Sequence, residues 1–195
     1  ELSGFDMSRR DLTGANLSGA ILISTSLFRA DLDGANLSGA NMTGANASAA
    51  SFRGANFNNA ILHLGNFYLA DLTGADLSEV YMQQGVLRRS RMQNTNLTGA
   101  FIIDTDIQDV RLSGSTLTGA NFSGSDMTRA NLRQLDLRGV NFEVSDLLWA
   151  NFKESNLAGA MMRQADLYGA DLTDANFTDA NLTEARLETA LVRGA

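Results

Sequence analysis

Residues 30–46 read Ala-Asp-Leu-Asp-Gly-Ala-Asn-Leu-Ser-Gly-Ala-Asn-Met-Thr-Gly-Ala-Asn, a five-residue unit repeated without a break. The period extends from Leu2 to Val192, where every fifth residue is a medium or large apolar side chain, with Ala47 as the one exception. We call this residue position i and number its neighbours from i−2 to i+2. No residue is inserted or deleted across 39 consecutive units. So strict a repeat indicates a solenoid, in which each unit buries its apolar side chains by stacking on its neighbours.

Neither an α-helix nor a flat strand can bury a period of five. A helix turns about 100° per residue, which would scatter the i side chains around its axis. A strand alternates with period two, which would put successive i side chains on opposite faces. A corner in every unit satisfies the pattern: i−2 and i point inward, i−1 points outward, and i+1 and i+2 turn the chain. The frequent Gly at i+2 suits such a turn.

The outward positions predict four sides to each coil. When the units are sorted into rows of four, almost all of the large apolar residues at outward positions fall in two neighbouring columns. Rows of three units scatter the outward apolar residues over all three columns. We name the four columns by their first i residue: face 1 from Leu2, face 2 from Met7, face 3 from Leu12 and face 4 from Leu17.

Units such as Ala15-Asn16-Leu17-Ser18-Gly19 and Ala170-Asp171-Leu172-Thr173-Asp174 resemble the Ala-Asp/Asn-Leu-x-x consensus of the pentapeptide-repeat family. The resemblance covers the whole chain. It implies an all-β fold, a right-handed quadrilateral parallel β-helix (solenoid) of about ten coils of four pentapeptides. With coils spaced by about 4.8 Å, the rod would be roughly 45 Å long. We expect residues 1–195 to form a single domain excised from a longer chain, because the repeat runs through both ends without caps.

Three details of the repeat lead to specific expectations for the core. Phe122 and Phe142 should stack one coil apart on face 1. Ala47 should leave a space, which either the Phe67 ring enters or a narrower coil removes. Arg10 stands at an i−2 position and cannot be buried unpaired, so we expect the first coil to be open or distorted.

The sequence contains no residues that are candidates for catalysis. The chain has no Cys and a single histidine, His63, at an outward position, which excludes thiolate chemistry and His-rich zinc sites. Asp106, Asp126, Asp146 and Asp166 form one i−1 column on face 2, where we expect each carboxylate to bond local backbone rather than to build a calcium ladder. The sequence therefore predicts no enzyme, no cofactor and no metal site.

The overall charge and hydropathy narrow the class of partner. The net charge of −7 argues against direct nucleic-acid binding, which needs a basic footprint. No apolar run reaches the roughly 18 residues that a helical span needs, so neither a membrane span nor a membrane partner is expected. Cytoplasmic localisation is favoured, since the chain contains no signal or transmembrane segment, although composition leaves the compartment open.

Faces 1 and 2 carry the outward apolar residues, whereas faces 3 and 4 are polar. A large exposed apolar patch usually marks an interface, and aromatic residues and Arg dominate binding energy at interfaces. The candidate partners are another protein, a flanking domain of the same chain, or a second copy in a homo-oligomer. The residues predicted to bind protein are Ile21, Ile23, Phe28, Ile61, Leu64, Tyr68, Leu69, Tyr81, Arg88, Arg89, Phe101, Ile103, Arg129, Leu148, Trp149, Met161 and Tyr168.

The least regular stretch, residues 80–95, contains a cluster of arginines. Arg111, one coil further, should stack over Arg91, and the resulting repulsion needs compensation. Two sets of ion pairs are expected to supply it: Asp71–Arg91 and an Arg89–Asp109–Arg129 ladder. We expect a solvated basic belt here rather than an anion site.

Three functions fit the sequence. The first is a non-catalytic interaction or scaffold rod that presents faces 1 and 2 to a protein partner or adjacent domain. The second, implied by the family resemblance, is a DNA mimic that binds and protects or inhibits a type II topoisomerase, gyrase. The third is a structural β-helix of a larger bacterial effector. The sequence favours the first, because the 22 acidic residues spread over all four faces and arginines lie among them.

Overall fold

The computed structural model describes all 195 residues as one stack of four-sided coils without any helix. Only two segments are long enough to be strands: β1, Tyr81–Gln83, and β2, Phe101–Ile103. They pair in parallel with Tyr81 opposite Phe101. The other ladder contacts are isolated parallel bridges between residues four units apart, such as Asn16 with Asn36. The predicted coil of four units, one to each side, is therefore confirmed.

Every unit turns its corner through the same backbone conformation. At every i+2 position φ lies between 50° and 74°, in the left-handed region. Sixteen of these positions hold Gly, which adopts this region freely, and the other 23 do not. A side chain there costs roughly 1–2 kcal/mol, because Cβ approaches the following carbonyl oxygen. The corner is therefore the position at which each unit is locally strained.

The hydrogen bonds of one unit, Ala35–Gly39, explain the consensus. Its five N–H groups donate in turn to the Leu32 carbonyl, the Ala15 carbonyl, the Asn56 carbonyl, the Asn36 side-chain oxygen and the Asn58 carbonyl. These bonds measure 2.7–3.1 Å between heavy atoms. Asn or Asp is common at i−1 because only a side-chain oxygen reaches the N–H of i+1. Pro is absent from the chain because every N–H of the unit donates a bond.

The i side chains form one continuous core. Every i residue from Leu22 to Leu172 is buried, whereas the first four and last four i residues are half-buried or exposed. The rings of Phe122 and Phe142 stack with centroids 5.8 Å apart and an interplanar angle of 13°. Both core predictions are confirmed, and burial fades only in the end coils, which have a neighbouring coil on one side alone.

Ala47 lies inside this core with no solvent exposure. The Phe67 ring lies 5.8 Å from the Phe52 ring and 6.2 Å from the Phe57 ring, centroid to centroid. Since Phe52 and Phe57 follow Ala47 in the same coil, Phe67 reaches down into that coil. These distances agree with the first of the two expectations, a Phe67 ring that leans toward the coil of Ala47. The same ring also lies against Gly65, where an added Cβ would be 2.9 Å from it.

The first coil departs from expectation in its backbone. Arg10 and Phe5, at i−2 positions, are exposed, so the guanidinium avoids the core. The carbonyl of Arg10 nevertheless accepts the Asp31 N–H at 2.9 Å, as in a regular coil. The expected opening of the coil was wrong, because the side chains alone turn outward while the pairing with the second coil is retained.

Truncation of one core ring tests the inward register. Phe122→Ala should lower the free energy of unfolding by about 3–5 kcal/mol, because it removes a fully buried side chain and leaves a cavity between coils. The free energy is measured by urea denaturation followed by circular dichroism. Thr118→Ala, at an exposed corner whose hydroxyl makes no bond, is the control and should change stability little. Equal losses for the two variants would contradict the register.

Candidate protein-binding surface

None of the side chains predicted to bind protein is buried. Eleven are exposed: Ile21, Ile23, Ile61, Leu64, Leu69, Tyr81, Arg89, Phe101, Arg129, Trp149 and Met161. Six are half-buried: Phe28, Tyr68, Arg88, Ile103, Leu148 and Tyr168. All of them are accessible on the outside of the rod, on faces 1 and 2.

Exposed large apolar side chains are segregated by face. Between residues 20 and 186 all ten of them lie on faces 1 and 2, and the other four occupy the end coils, at Phe5, Leu187, Leu191 and Val192. From Ile21 to Met161 the strip spans seven coil steps, about 34 Å at the strand spacing. We call these exposed apolar side chains of faces 1 and 2 the apolar strip; on face 1 its i−1 column is interrupted by Asn41, Asn121 and Asn141.

The middle of the strip is a ladder of stacked residues. Ile61, Tyr81 and Phe101 occupy successive rungs of one i−1 column, and Tyr81 and Phe101 begin β1 and β2. Leu64 lies at the corner that follows Ile61. The Tyr81 hydroxyl donates to the Gln83 side-chain oxygen at 3.0 Å, which leaves the ring against the rod surface and accessible to solvent. We call Ile61, Leu64, Tyr81 and Phe101 the central cluster.

A second group of aromatic residues lies on face 2 toward the C-terminal end of the rod. The Trp149 and Tyr168 rings meet edge to face, 5.4 Å between centroids, and the Arg186 guanidinium lies 4.7 Å from the Tyr168 ring centroid. Trp149 also lies over Gly169, where a Cβ would collide with the indole. A glycine at this corner therefore lets the indole pack flat against the next coil while about half of it remains exposed.

The corners of faces 1 and 2 hold apolar residues where they are energetically least favoured. Leu64, Leu69, Val144 and Trp149 all stand at i+2 with φ of 55–58°. Their exposed fractions are 49–56%, so little burial offsets the backbone cost. Val144 is the extreme case, because a β-branched residue in the left-handed region is a genuine outlier. The sequence places it among the outward apolar residues of face 1, but it is not one of the residues predicted to bind protein.

Four aspartates occupy successive positions in the i−1 column of face 2. Three of their carboxylates accept a hydrogen bond from the backbone and one does not. Asp106, Asp126 and Asp166 each accept the N–H two residues later, at 2.9–3.3 Å, as expected. The Asp146 carboxylate accepts no hydrogen bond. Although the residue is exposed, its pKa is raised by desolvation and then by the neighbouring charges of Asp126 and Asp166. The structure gathers no three His, Cys, Asp or Glu side chains that could hold an ion.

The arginines next to face 2 form the expected ion pairs. Asp109 lies between two of them, 3.4 Å from Arg89 and 2.7 Å from Arg129, measured from nitrogen to oxygen. Arg91 pairs with Asp71 at 3.4 Å. All three pairs are solvent-exposed, and such pairs contribute only about 0–1 kcal/mol each. The ladder therefore organises these side chains more than it stabilises the fold.

The repeat also defines the family. The model of the family described as pentapeptide repeats matches the chain in eight copies, over residues 1–27, 25–63, 70–109, 105–143 and 146–188. The chain belongs to the pentapeptide-repeat family. Its members fold as right-handed quadrilateral β-helices and are generally non-catalytic. A bilayer-spanning helix is not among the elements of the structure.

Solved structures of the same family are similar over the full length of the chain. HetL, a pentapeptide repeat protein involved in heterocyst differentiation regulation from the cyanobacterium Nostoc sp. strain PCC 7120, is 26% identical, with a TM-score of 0.52 over 100% of this chain and 92% of HetL. Two trypsin-treated forms of QnrB1, a plasmid-mediated fluoroquinolone resistance protein, are 16% and 17% identical, with TM-scores of 0.56 and 0.57. Each covers 99% of this chain and 87% of QnrB1, and at that identity the likeness shows the fold alone. No curated protein sequence matches the chain.

Glycine at an apolar corner tests the backbone cost. Val144→Gly should raise the free energy of unfolding by about 0.5–1 kcal/mol, because relief of the left-handed strain outweighs the extra entropy of glycine in the unfolded chain. The reverse change, Gly139→Val, serves as the control: its corner has a φ of 66° and open space where the Cβ would stand, so it should destabilise through the backbone alone. Thermal melts measure both. A loss of stability in Val144→Gly would show that this side chain contributes to the fold.

The unbonded carboxylate gives a pH-dependent prediction. The folded-state pKa of Asp146 is raised, so the folded chain holds this proton more tightly than the unfolded chain does, and stability falls as pH rises through that pKa. Asp146→Asn should therefore raise the melting temperature at neutral pH, and the gain should vanish below about pH 3, where the carboxyl is protonated in both states. Asp171→Asn is the control, since hydrogen bonds from Thr173 lower the pKa of Asp171 and its charge is favourable. An equal gain in the control would contradict the assignment.

Proposed function

We propose that the chain is a non-catalytic rod that binds a protein partner through the apolar strip of faces 1 and 2. The observation that carries the proposal is the set of large apolar residues at exposed left-handed corners: Leu64, Leu69, Val144 and Trp149. Glycine or asparagine at those corners would give a more stable free rod. Residues that cost stability in the free protein and bury little surface become favourable when another molecule covers them.

The chemistry of the strip favours a protein as the covering molecule. Trp149 and Tyr168 lie together with the Arg186 guanidinium over one ring, and Trp, Tyr and Arg are the residues that most often dominate binding energy between proteins. A strip about 34 Å long has the extent of a standard interface, which buries about 800 Å² on each partner. The regulatory role in the name of HetL, to which the chain is 26% identical, also fits a binding rod.

A DNA mimic that binds gyrase is the rival function, and the aspartate column on face 2 is its best support. The raised pKa of Asp146 reflects, after desolvation, the closeness of Asp126 and Asp166, as in a row of phosphates. The row is interrupted, however, because Arg186 contacts Asp166 at 3.0 Å and Arg129 lies on the same face. Faces 1 and 2 are also the apolar sides of the rod, so the continuous anionic surface that a duplex mimic needs is missing there.

Paired charge substitutions test the proposed function. Tyr81→Glu with Trp149→Glu should abolish capture of the partner in pull-downs while leaving the circular dichroism spectrum and melting temperature unchanged, because both side chains lie outside the core. Ser38→Glu with Thr98→Glu places the same charges on face 4 and should leave capture intact. Loss of capture in the face 4 variant, with retention in the aromatic variant, would refute the proposal.

Two further measurements separate the alternatives. Sedimentation of the wild-type chain should show a monomer, and a dimer that the Tyr81→Glu/Trp149→Glu variant abolishes would assign the strip to a second copy of the chain. Gyrase supercoiling should be unaffected by the isolated rod. Inhibition that disappears when Asp106, Asp126, Asp146 and Asp166 become Asn would favour the DNA mimic.

A further inference from the structure

A cavity lies beside the apolar strip, away from the ends of the rod. It lies at the corner between faces 2 and 3 and has a volume of about 320 Å³. Its lining residues are Leu69, Arg89, Ser90, Arg91, Asp109 and Arg111, and we call this group the arginine corner. Leu69 belongs to the apolar strip as well, so the cavity opens beside the proposed docking surface.

The cavity carries positive charge in a protein whose net charge is −7. Three guanidinium groups and one carboxylate line it, an excess of two positive charges. The carboxylate of Asp109 is already engaged, because it lies 2.7 Å from Arg129 and the hydrogen bond from Arg129 lowers its pKa. Arg111 makes neither an ion pair nor a side-chain hydrogen bond. One full guanidinium group thus remains available for an anion.

Arg91 and Arg111 occupy i−1 positions. In the neighbouring coils the same column holds Asp or Asn, whose side chains stabilise the turn. In the same column Asp71 accepts the Thr73 N–H at 3.1 Å and Asn131 accepts the Arg133 N–H at 3.3 Å. Arginine has no acceptor atom and cannot make this bond. Arg91 and Arg111 are also directly opposite each other in the ladder, and like charges in that relation are destabilising. The two arginines therefore lower the stability of the free rod in two ways: each unit loses a turn hydrogen bond, and the two guanidinium groups repel each other.

An orphaned hydroxyl lies at the same place. Eight Ser and Thr residues are buried at inward positions, and in seven of them the hydroxyl donates to a backbone carbonyl. The exception is Ser90, which lines the cavity, is 1% exposed and has no hydrogen-bond partner for its Oγ. An unpaired buried hydroxyl is costly. Ser90 occupies an inward i−2 position, so this cost adds to the instability of the corner, and the contacts to a ligand come from the arginines.

We propose that the arginine corner is a binding site for a phosphate group. The forked guanidinium groups match the oxygens of a phosphate, and the excess of two positive charges matches a dianion. The cavity has the volume that about ten water molecules occupy in the liquid. This is more than one phosphate group needs. The corner therefore accommodates a phosphate with part of its carrier, either a small phosphate monoester or a phosphorylated side chain, against Leu69. This proposal differs from the solvated basic belt that the sequence predicts, and the titrations below decide between the two.

Calorimetric titration of the intact chain with inorganic phosphate, at constant ionic strength set with chloride, tests the site. Binding should saturate at one phosphate per chain. Arg111→Gln should lower the association constant at least about tenfold, because one charge-assisted contact is lost. Arg111→Lys should retain part of the affinity, since the ammonium keeps the charge but loses the fork. Arg9→Gln removes another exposed arginine without an ion pair and should leave the affinity unchanged.

Parallel titrations distinguish the carriers of the phosphate. A phosphoserine peptide that binds more tightly than inorganic phosphate, and ribose 5-phosphate that does not, would assign the site to phosphorylated protein; the opposite order would assign it to small phosphate monoesters. Both results require the Arg111→Gln effect. The proposal is overturned if phosphate does not bind saturably, if Arg9→Gln weakens binding as much as Arg111→Gln, or if only a glutamate-rich peptide binds at this corner.

Discussion

The left-handed corner at every i+2 position is the constraint on which the rest of the structure depends. It turns the chain by a quarter of a coil in each unit, so that residues four units apart meet and pair. One inserted residue would move every later i side chain from the inside to the outside, which explains the absence of any insertion over 39 units. The core, the hydrogen-bond ladder and the four faces all follow from this repeated turn.

The core and the surface are therefore under different physical control. Inside, the ladder fixes the side-chain positions, and the Leu, Phe and Met residues need only fill a channel of constant width. The Phe67 ring, for example, packs against Phe52 and Phe57 of the neighbouring coil. Outside, most corners tolerate any residue at a cost of about 1–2 kcal/mol relative to what the backbone prefers. Residues such as Val144 and Trp149, which accept that cost although about half of each residue stays exposed, are the informative ones. The same reasoning applies to Arg91 and Arg111, which replace a turn-capping carboxylate or amide with a charge that the fold does not use.

Nearly all of the fold could be predicted from the sequence. The five-residue period and the corner can be read from each unit, and the number of sides follows from comparing units. The four-unit period of the outward positions defined the faces, and with them the side of the rod on which Tyr81, Phe101 and Trp149 lie. Details that depend on side-chain orientation between coils could not be predicted: the packing of Trp149 over Gly169, the unbonded carboxylate of Asp146 and the cavity beside Arg111. The expected opening of the first coil was wrong, since the exposed Arg10 side chain leaves the backbone pairing unaffected.

Fluorescence quenching of Trp149, the one tryptophan of the chain, tests most directly whether a partner covers the strip. Its side chain is 54% exposed in the free rod, so acrylamide should quench its emission efficiently. The captured partner is used with its own tryptophans replaced by phenylalanine. In the complex, Trp149 should show a blue-shifted emission and a several-fold smaller quenching constant. Unchanged emission and quenching of Trp149 in the complex would contradict the proposal, because the partner would then occupy another surface of the rod.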